Sequence, residues 1–114
     1  MRNVTDRRSN RRYELRLPLH YRVSHRESMS LAGTGTTREL SSVGLSFRCR
    51  RPLPVGSHIE LTIDWPALYD QVKPMELVVT GIVARSDGGR TAVRLTSKRF
   101  QIDSVPAERY RASA

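Results

Sequence analysis

MELVVTGIVARSDGGRTAVRLT, residues 75–96, carries the strongest structural signal in the sequence. Two β-rich runs, 75–86 and 91–96, flank the turn sequence DGG. Tight turns between antiparallel strands need positive φ angles, which glycine adopts at no steric cost. The stretch therefore predicts a β-hairpin.

Three earlier segments alternate apolar and polar residues with the period of two that a half-buried strand shows. They cover residues 15–24, 45–50 and 58–63, and a less regular strand is predicted to reach Leu40. Pro18 has no backbone donor, which indicates an edge or irregular ladder position.

Two segments do not follow this alternation. DWPALYDQVKP, residues 64–74, predicts one short helical turn near 66–69, because proline is well tolerated in the first turn of a helix. The tail after residue 96 favours either a short C-terminal helix or an extended segment around Phe100 and Ile102, followed by a frayed end.

About six short strands with turn residues between them predict an all-β fold, a small antiparallel six-stranded β-barrel or a sandwich. A chain of 114 residues has room for one domain. We expect residues 1–13 to form a flexible basic N-terminal arm, and residues 14–114 to form the barrel with its C-terminal tail.

Charge is concentrated at the start of the chain. The formal net charge is +9, and 18 of the 20 basic residues are arginine. The first 26 residues hold eight arginines against two acidic residues, a net charge of +6. Arginine grips phosphates and guanine edges with a rigid pair of donors, so the arm indicates an anionic partner. Two alternatives need no partner: a GC-rich genome would explain the overall excess of arginine, and a solvated basic leader would explain the charge of the arm.

Other classes of protein are disfavoured. No apolar run is long enough to span a bilayer and no secretory signal is present, so we expect a cytoplasmic protein without a membrane partner. The lone Cys49 and three scattered histidines form no recognisable metal site, catalytic triad or phosphate-binding glycine loop. The sequence therefore predicts no enzyme, no catalytic residue, no metal and no cofactor.

Two short motifs carry a more specific signal. In RRSNRRY, residues 7–13, Arg8 and Arg12 have the spacing RxxxR, and Arg7 precedes them. In ELSSVG, residues 39–44, a serine and a glycine have the spacing of [D/N]xSxxG. In this order, on a small barrel, the pair resembles the PilZ domain, the bacterial receptor module for cyclic di-GMP. The resemblance extends from Asp6 to about Phe100.

The resemblance implies a ligand site. Arg8 and Arg12 would pair with the guanine edges and phosphates of cyclic di-GMP, and Arg7 would add a phosphate contact. Ser41 would donate to a phosphate oxygen, and Gly44 would let the backbone approach the ligand. The implied function is a stand-alone receptor or adaptor whose arm is ordered by the ligand and which signals in trans to an effector protein of unknown identity.

Glu39 departs from the motif, which usually has Asp or Asn at this position to accept from the guanine N1–H and amine. The longer side chain moves the carboxylate roughly 1.5 Å from its place in Asp. A second hypothesis is therefore an interaction adaptor of the same fold that does not bind nucleotide. A third is a small barrel that binds RNA or single-stranded DNA, but such platforms present stacking aromatics, and the sequence has few.

Overall fold

The structure is a computed structural model that describes residues 11–25, 29–69 and 73–102, and these ranges contain β-strands and no helix. The all-β prediction is confirmed. The strands are β1 Tyr13–Glu14, β2 Pro18–His25, β3 Met29–Leu40, β4 Gly44–Arg48, β5 His58–Tyr69, β6 Lys73–Asp87 and β7 Arg90–Ile102.

Six of these strands close into a ring. Antiparallel neighbours follow the order β3, β2, β5, β6, β7, β4, and β4 pairs in turn with β3. The short strand β1 lies outside the ring on the end of β3, where Tyr13 pairs with Leu40 and Glu14 with Glu39. Because the ring is closed, each of its strands has partners on both sides over part of its length.

Alternate residues of the strands point into the ring and form the core. In β5 the three apolar residues identified from the alternation, Ile59, Leu61 and Ile63, are at most 2% exposed. Phe47 of β4 is fully buried and packs against Tyr21 of β2 with ring centroids 5.9 Å apart. The predicted strand faces of β2, β4 and β5 are therefore confirmed.

The hairpin prediction is also confirmed. Strands β6 and β7 pair up to Asp87 and Arg90, and Gly88 and Gly89 form the two-residue turn. Their φ angles are +59° and +79°, which is the geometry that favours glycine at both central positions.

The strand predicted from Leu15 starts later, at Pro18. Residues 15–17 instead connect β1 to β2 and are held by Arg38 and Thr37: the Leu15 N–H donates to the Arg38 carbonyl, and the Leu17 N–H donates to Thr37 Oγ1. Pro18 is the first residue of β2, a position where its missing donor is tolerated.

The helical turn predicted near 66–69 is wrong. Strand β5 continues to Tyr69, and its pairing with β6 shifts between Trp65 and Leu68. Pro66 lies in this bulge, where an unpaired residue needs no ladder N–H. Pro66 and the loss of alternation, which predicted a helical turn, are thus features of an irregular strand.

At the far end, β7 extends to Ile102, so the extended alternative is confirmed around Phe100. Phe100 was expected in core or loop packing, but it is 52% exposed and contacts Trp65 edge to face at 5.2 Å. The end of the chain predicted to be frayed, residues 103–114, and residues 1–10 of the predicted arm lie outside the described residues.

Candidate functional site

A groove of about 670 Å³ runs over the outer face of β3, β4, β7 and β6. This volume lies within the range of small-molecule sites. The groove brings together residues from these four strands, the β3–β4 loop and the residue before β1: Arg12, Glu39, Leu40, Ser41, Val43, Gly44, Leu45, Ser46, Arg85, Asp87, Arg90, Ala92 and Val93.

The floor of the groove is made of small residues. Strand register aligns Glu39 of β3 with Ser46 of β4, Ser46 with Ala92 of β7, and Ala92 with Arg85 of β6. Three strand spacings separate the two ends of this row, about 14 Å. A flat floor between charged ends can accept a planar group lying against the sheet.

Arg12 and Glu39 form one wall. Strand β1 positions Arg12, which immediately precedes it, beside the end of β3. Arg12 Nη1 lies 3.8 Å from Glu39 Oε1, and the two side chains are 74% and 44% exposed. A solvated ion pair of this kind contributes little stability, at most about 1 kcal/mol, so Arg12 can turn toward a ligand at small cost.

Arg85, Asp87 and Arg90 form the opposite wall. They come from the β6–β7 hairpin, where Asp87 and Arg90 are register partners. Sequence reasoning identified this hairpin but assigned none of the three to the site. No spacing in the sequence connects them to Arg12, because only the pairing of β4 with β7 brings the hairpin beside the 39–44 motif.

Ser41 organises its own loop. Its hydroxyl oxygen accepts from the backbone N–H groups of Val43 and Gly44, at 3.3 and 3.1 Å, and the Ser41 N–H donates to the Gly44 carbonyl at 2.8 Å. A serine bonded in this way fixes the turn. Its hydroxyl donates to the Gly44 carbonyl at 3.3 Å, so a phosphate would have to compete with that bond.

Gly44 does not have the positive φ angle that a turn glycine commonly has; within the described residues that conformation belongs to Gly56, Gly88 and Gly89. A Cβ atom at Gly44 would instead lie 3.2 Å from the Val93 carbonyl oxygen. The glycine therefore allows β4 to lie close against β7, and it keeps the groove floor low.

Four of the six predicted ligand residues thus line one groove: Arg12, Glu39, Ser41 and Gly44. The other two, Arg7 and Arg8, lie outside the described residues. Their assignment stays a prediction.

We also searched the described part of the chain for metal ligands, a reactive thiol and membrane-spanning helices. There, no group of three or more His, Cys, Asp or Glu side chains could hold a metal ion. Cys49 is buried and its thiol faces the Arg51 carbonyl at 3.2 Å. No helix that could cross a membrane is found among the described residues.

A closed antiparallel ring with a polar groove on its outer face is typical of a small all-β ligand-binding module. The chain belongs to the PilZ domain family, whose model matches residues 6–110, nearly its whole length. Domains of this family are receptor and adaptor modules for cyclic di-GMP that act through effector partners, and the predicted resemblance is confirmed. Comparisons with curated proteins and with solved structures give no significant match.

Proposed function

We propose that this protein binds cyclic di-GMP in the groove between Arg12 and the β6–β7 hairpin. One observation carries the proposal: residues of both motifs, Arg12 from the first and Glu39, Ser41 and Gly44 from the second, line the same groove. The motifs are separated in sequence by β2 and most of β3, so their meeting is a property of the fold.

The groove has the charges that this ligand needs. Cyclic di-GMP has two phosphodiesters and two guanines, and each guanine presents adjacent O6 and N7 acceptors that an arginine fork can read, at about 1–3 kcal/mol for a good pair. Arg12 at one wall and Arg85 and Arg90 at the other place such forks on both sides of the floor. Gly44, Ser46 and Ala92 leave room for a purine ring between them.

Glu39 supplies the acceptor for a guanine N1–H and amine once Arg12 has turned to the ligand. Breaking the exposed Arg12–Glu39 pair costs less than about 1 kcal/mol. A micromolar complex needs about 8 kcal/mol, which several charged hydrogen bonds supply after the cost of ordering the arm. We expect the ligand to order the arm of residues 6–13 ahead of Arg12 and Tyr13, which β1 already places beside β3, and the changed surface to be read in trans by an effector protein.

One alternative is an adaptor of the same fold that binds no nucleotide. The observation that favours it is that Glu39 is already paired with Arg12 and that the Ser41 hydroxyl is already bonded within its loop. The RNA-binding hypothesis has no such support, since the described lining of the groove contains no aromatic side chain.

Isothermal titration of the full chain with cyclic di-GMP tests the proposal. Arg12→Ala should weaken binding by about tenfold or more, because it removes a charged fork. Arg22→Ala is the matched control, since Arg22 is exposed on β2, which lies across the ring from β7. Glu39→Asp should tighten binding, because a shorter side chain releases Arg12.

An absence of heat with cyclic di-GMP would favour the adaptor that binds no nucleotide. Equal losses in Arg12→Ala and Arg22→Ala would show that the ligand responds to net charge and that the groove is not its site.

A further inference from the structure

Four arginines meet beside the groove and are called here the arginine cluster: Arg16, Arg38, Arg48 and Arg90. Arg48 of β4 and Arg90 of β7 are direct register partners. Arg38 lies at the irregularity of the adjacent strand β3, and Arg16 lies in the β1–β2 connection that bonds to Arg38 and Thr37. The cluster therefore crosses three neighbouring strands of the outer face.

The cluster is a site of excess positive charge, although Asp87 lies opposite Arg90 on β6. Partial desolvation, and after it the charges of Arg16, Arg90 and Arg48, lower the pKa of the Arg38 guanidinium, and Glu14 opposes them only in part. No member of the cluster has an ion-pair partner within the described ranges. Like charges placed directly opposite each other on a sheet are destabilising, and an anion bound across them would relieve this repulsion.

We propose that the arginine cluster is a docking surface for an acidic segment of a partner protein. Its three strands span about 10 Å, the reach of a few neighbouring carboxylates on an extended chain. Duplex nucleic acid typically engages six to ten phosphates over a longer path. Single strands are bound through several stacking aromatic side chains, whereas Tyr13 is the one exposed Tyr, Phe or Trp residue of the described strands β1–β4.

The position of Arg90 connects this surface to the ligand groove, because Arg90 belongs to both. If cyclic di-GMP binds as proposed above, its phosphates and the carboxylates of the acidic segment compete for the positive charge of Arg90 and its neighbours. The segment then binds the nucleotide-free protein and is released by the nucleotide. The effect is reciprocal, so a bound acidic segment weakens nucleotide binding by the same factor.

Fluorescence anisotropy of a labelled octaglutamate peptide, titrated with the full chain at low ionic strength, tests the docking surface. Arg38→Glu and Arg48→Glu should each weaken binding by about tenfold. Arg22→Glu is the matched control, because it makes the same charge change opposite Ala32, six residues and about 20 Å along β3 from Arg38. At that distance it should weaken binding by less than about twofold.

A thermal melt of each variant separates misfolding from lost binding. Arg48→Glu places an acidic residue opposite Arg90, so its melting temperature should not fall. Peptide binding that is unaffected by both cluster variants, or equally weakened by Arg22→Glu, would overturn the proposal. So would tighter binding of an oligothymidylate of equal charge, which would assign the surface to nucleic acid.

Adding cyclic di-GMP to the wild-type complex tests the coupling separately. Release of the peptide is expected. If the peptide binds and the nucleotide does not, the docking surface stands and the proposed function fails. If the nucleotide binds and the peptide does not, only the docking surface fails.

Discussion

Thr37 provides the sharpest test of how the structure holds Arg12 in place. Its side chain is 1% exposed, and its hydroxyl lies between two backbone groups of the β1–β2 connection. It accepts from the Leu17 N–H at 2.8 Å and donates to the Leu15 carbonyl. Thr37→Val keeps the shape of the side chain and removes both bonds.

The expected cost follows from these two contacts. A backbone group left without a partner away from water costs about 1–3 kcal/mol. Leu15 and Leu17 are half-buried, so water can compensate in part, and the two losses together should amount to about 2–3 kcal/mol. That is a large share of the roughly 5–15 kcal/mol by which a domain of this kind is stable.

Urea denaturation measures this difference, and an unchanged m-value would show that the native and unfolded states remain comparable. Thr37→Ser is the control, since it keeps the hydroxyl and loses one methyl group, at about 1 kcal/mol. Residues 15–17 connect β1 to β2, and β1 positions Arg12. Thr37→Val should therefore also weaken the binding of any ligand that Arg12 contacts. A smaller loss in Thr37→Val than in Thr37→Ser would refute this reasoning.

Three further predictions concern the groove and the core. Gly44→Ala should lower the free energy of unfolding by about 1 kcal/mol in urea denaturation, because its Cβ would lie 3.2 Å from the Val93 carbonyl oxygen in the paired strand β7; a stability equal to or above wild type would show that β7 moves to make room. Arg85→Ala should weaken cyclic di-GMP binding in calorimetry and leave the melting temperature nearly unchanged, and unaltered affinity would remove the second wall from the site. Burial, and after it the charge of nearby Cys49, raises the pKa of Tyr21, while Arg51 lowers it in part. The folded state therefore holds the phenol proton more tightly than the unfolded state does. The free energy of unfolding should fall as the pH rises above about 10, the ordinary pKa of tyrosine. Tyr21→Phe should flatten this alkaline decline in stability, and an unchanged pH profile would exclude Tyr21 as its source.

The parts of the fold that were predicted correctly rest on local chemistry. Apolar residues at every second position, as in Ile59, Leu61 and Ile63, indicate a half-buried strand without reference to any partner. Gly88 and Gly89 indicate a tight hairpin because both central positions of such a turn need a positive φ angle, which few residues other than glycine adopt. The error at 66–69 has the same origin: Pro66 signals a break, but only the pairing with β6 shows that the break is a bulge.

For the site, residue type and spacing are enough to reveal the two motifs, and the roles predicted for their residues toward a guanine nucleotide come from the resemblance of those motifs to the PilZ family. The sequence did not determine that Arg12 meets Glu39, that Arg85 and Arg90 face them across the floor, or that Gly44 serves the packing of β4 on β7. Those relations depend on the closure of the ring through β3, β4 and β7. Strand pairing joins residues far apart in the chain, and its register depends on the burial of all strands at once, so local sequence patterns do not reveal it.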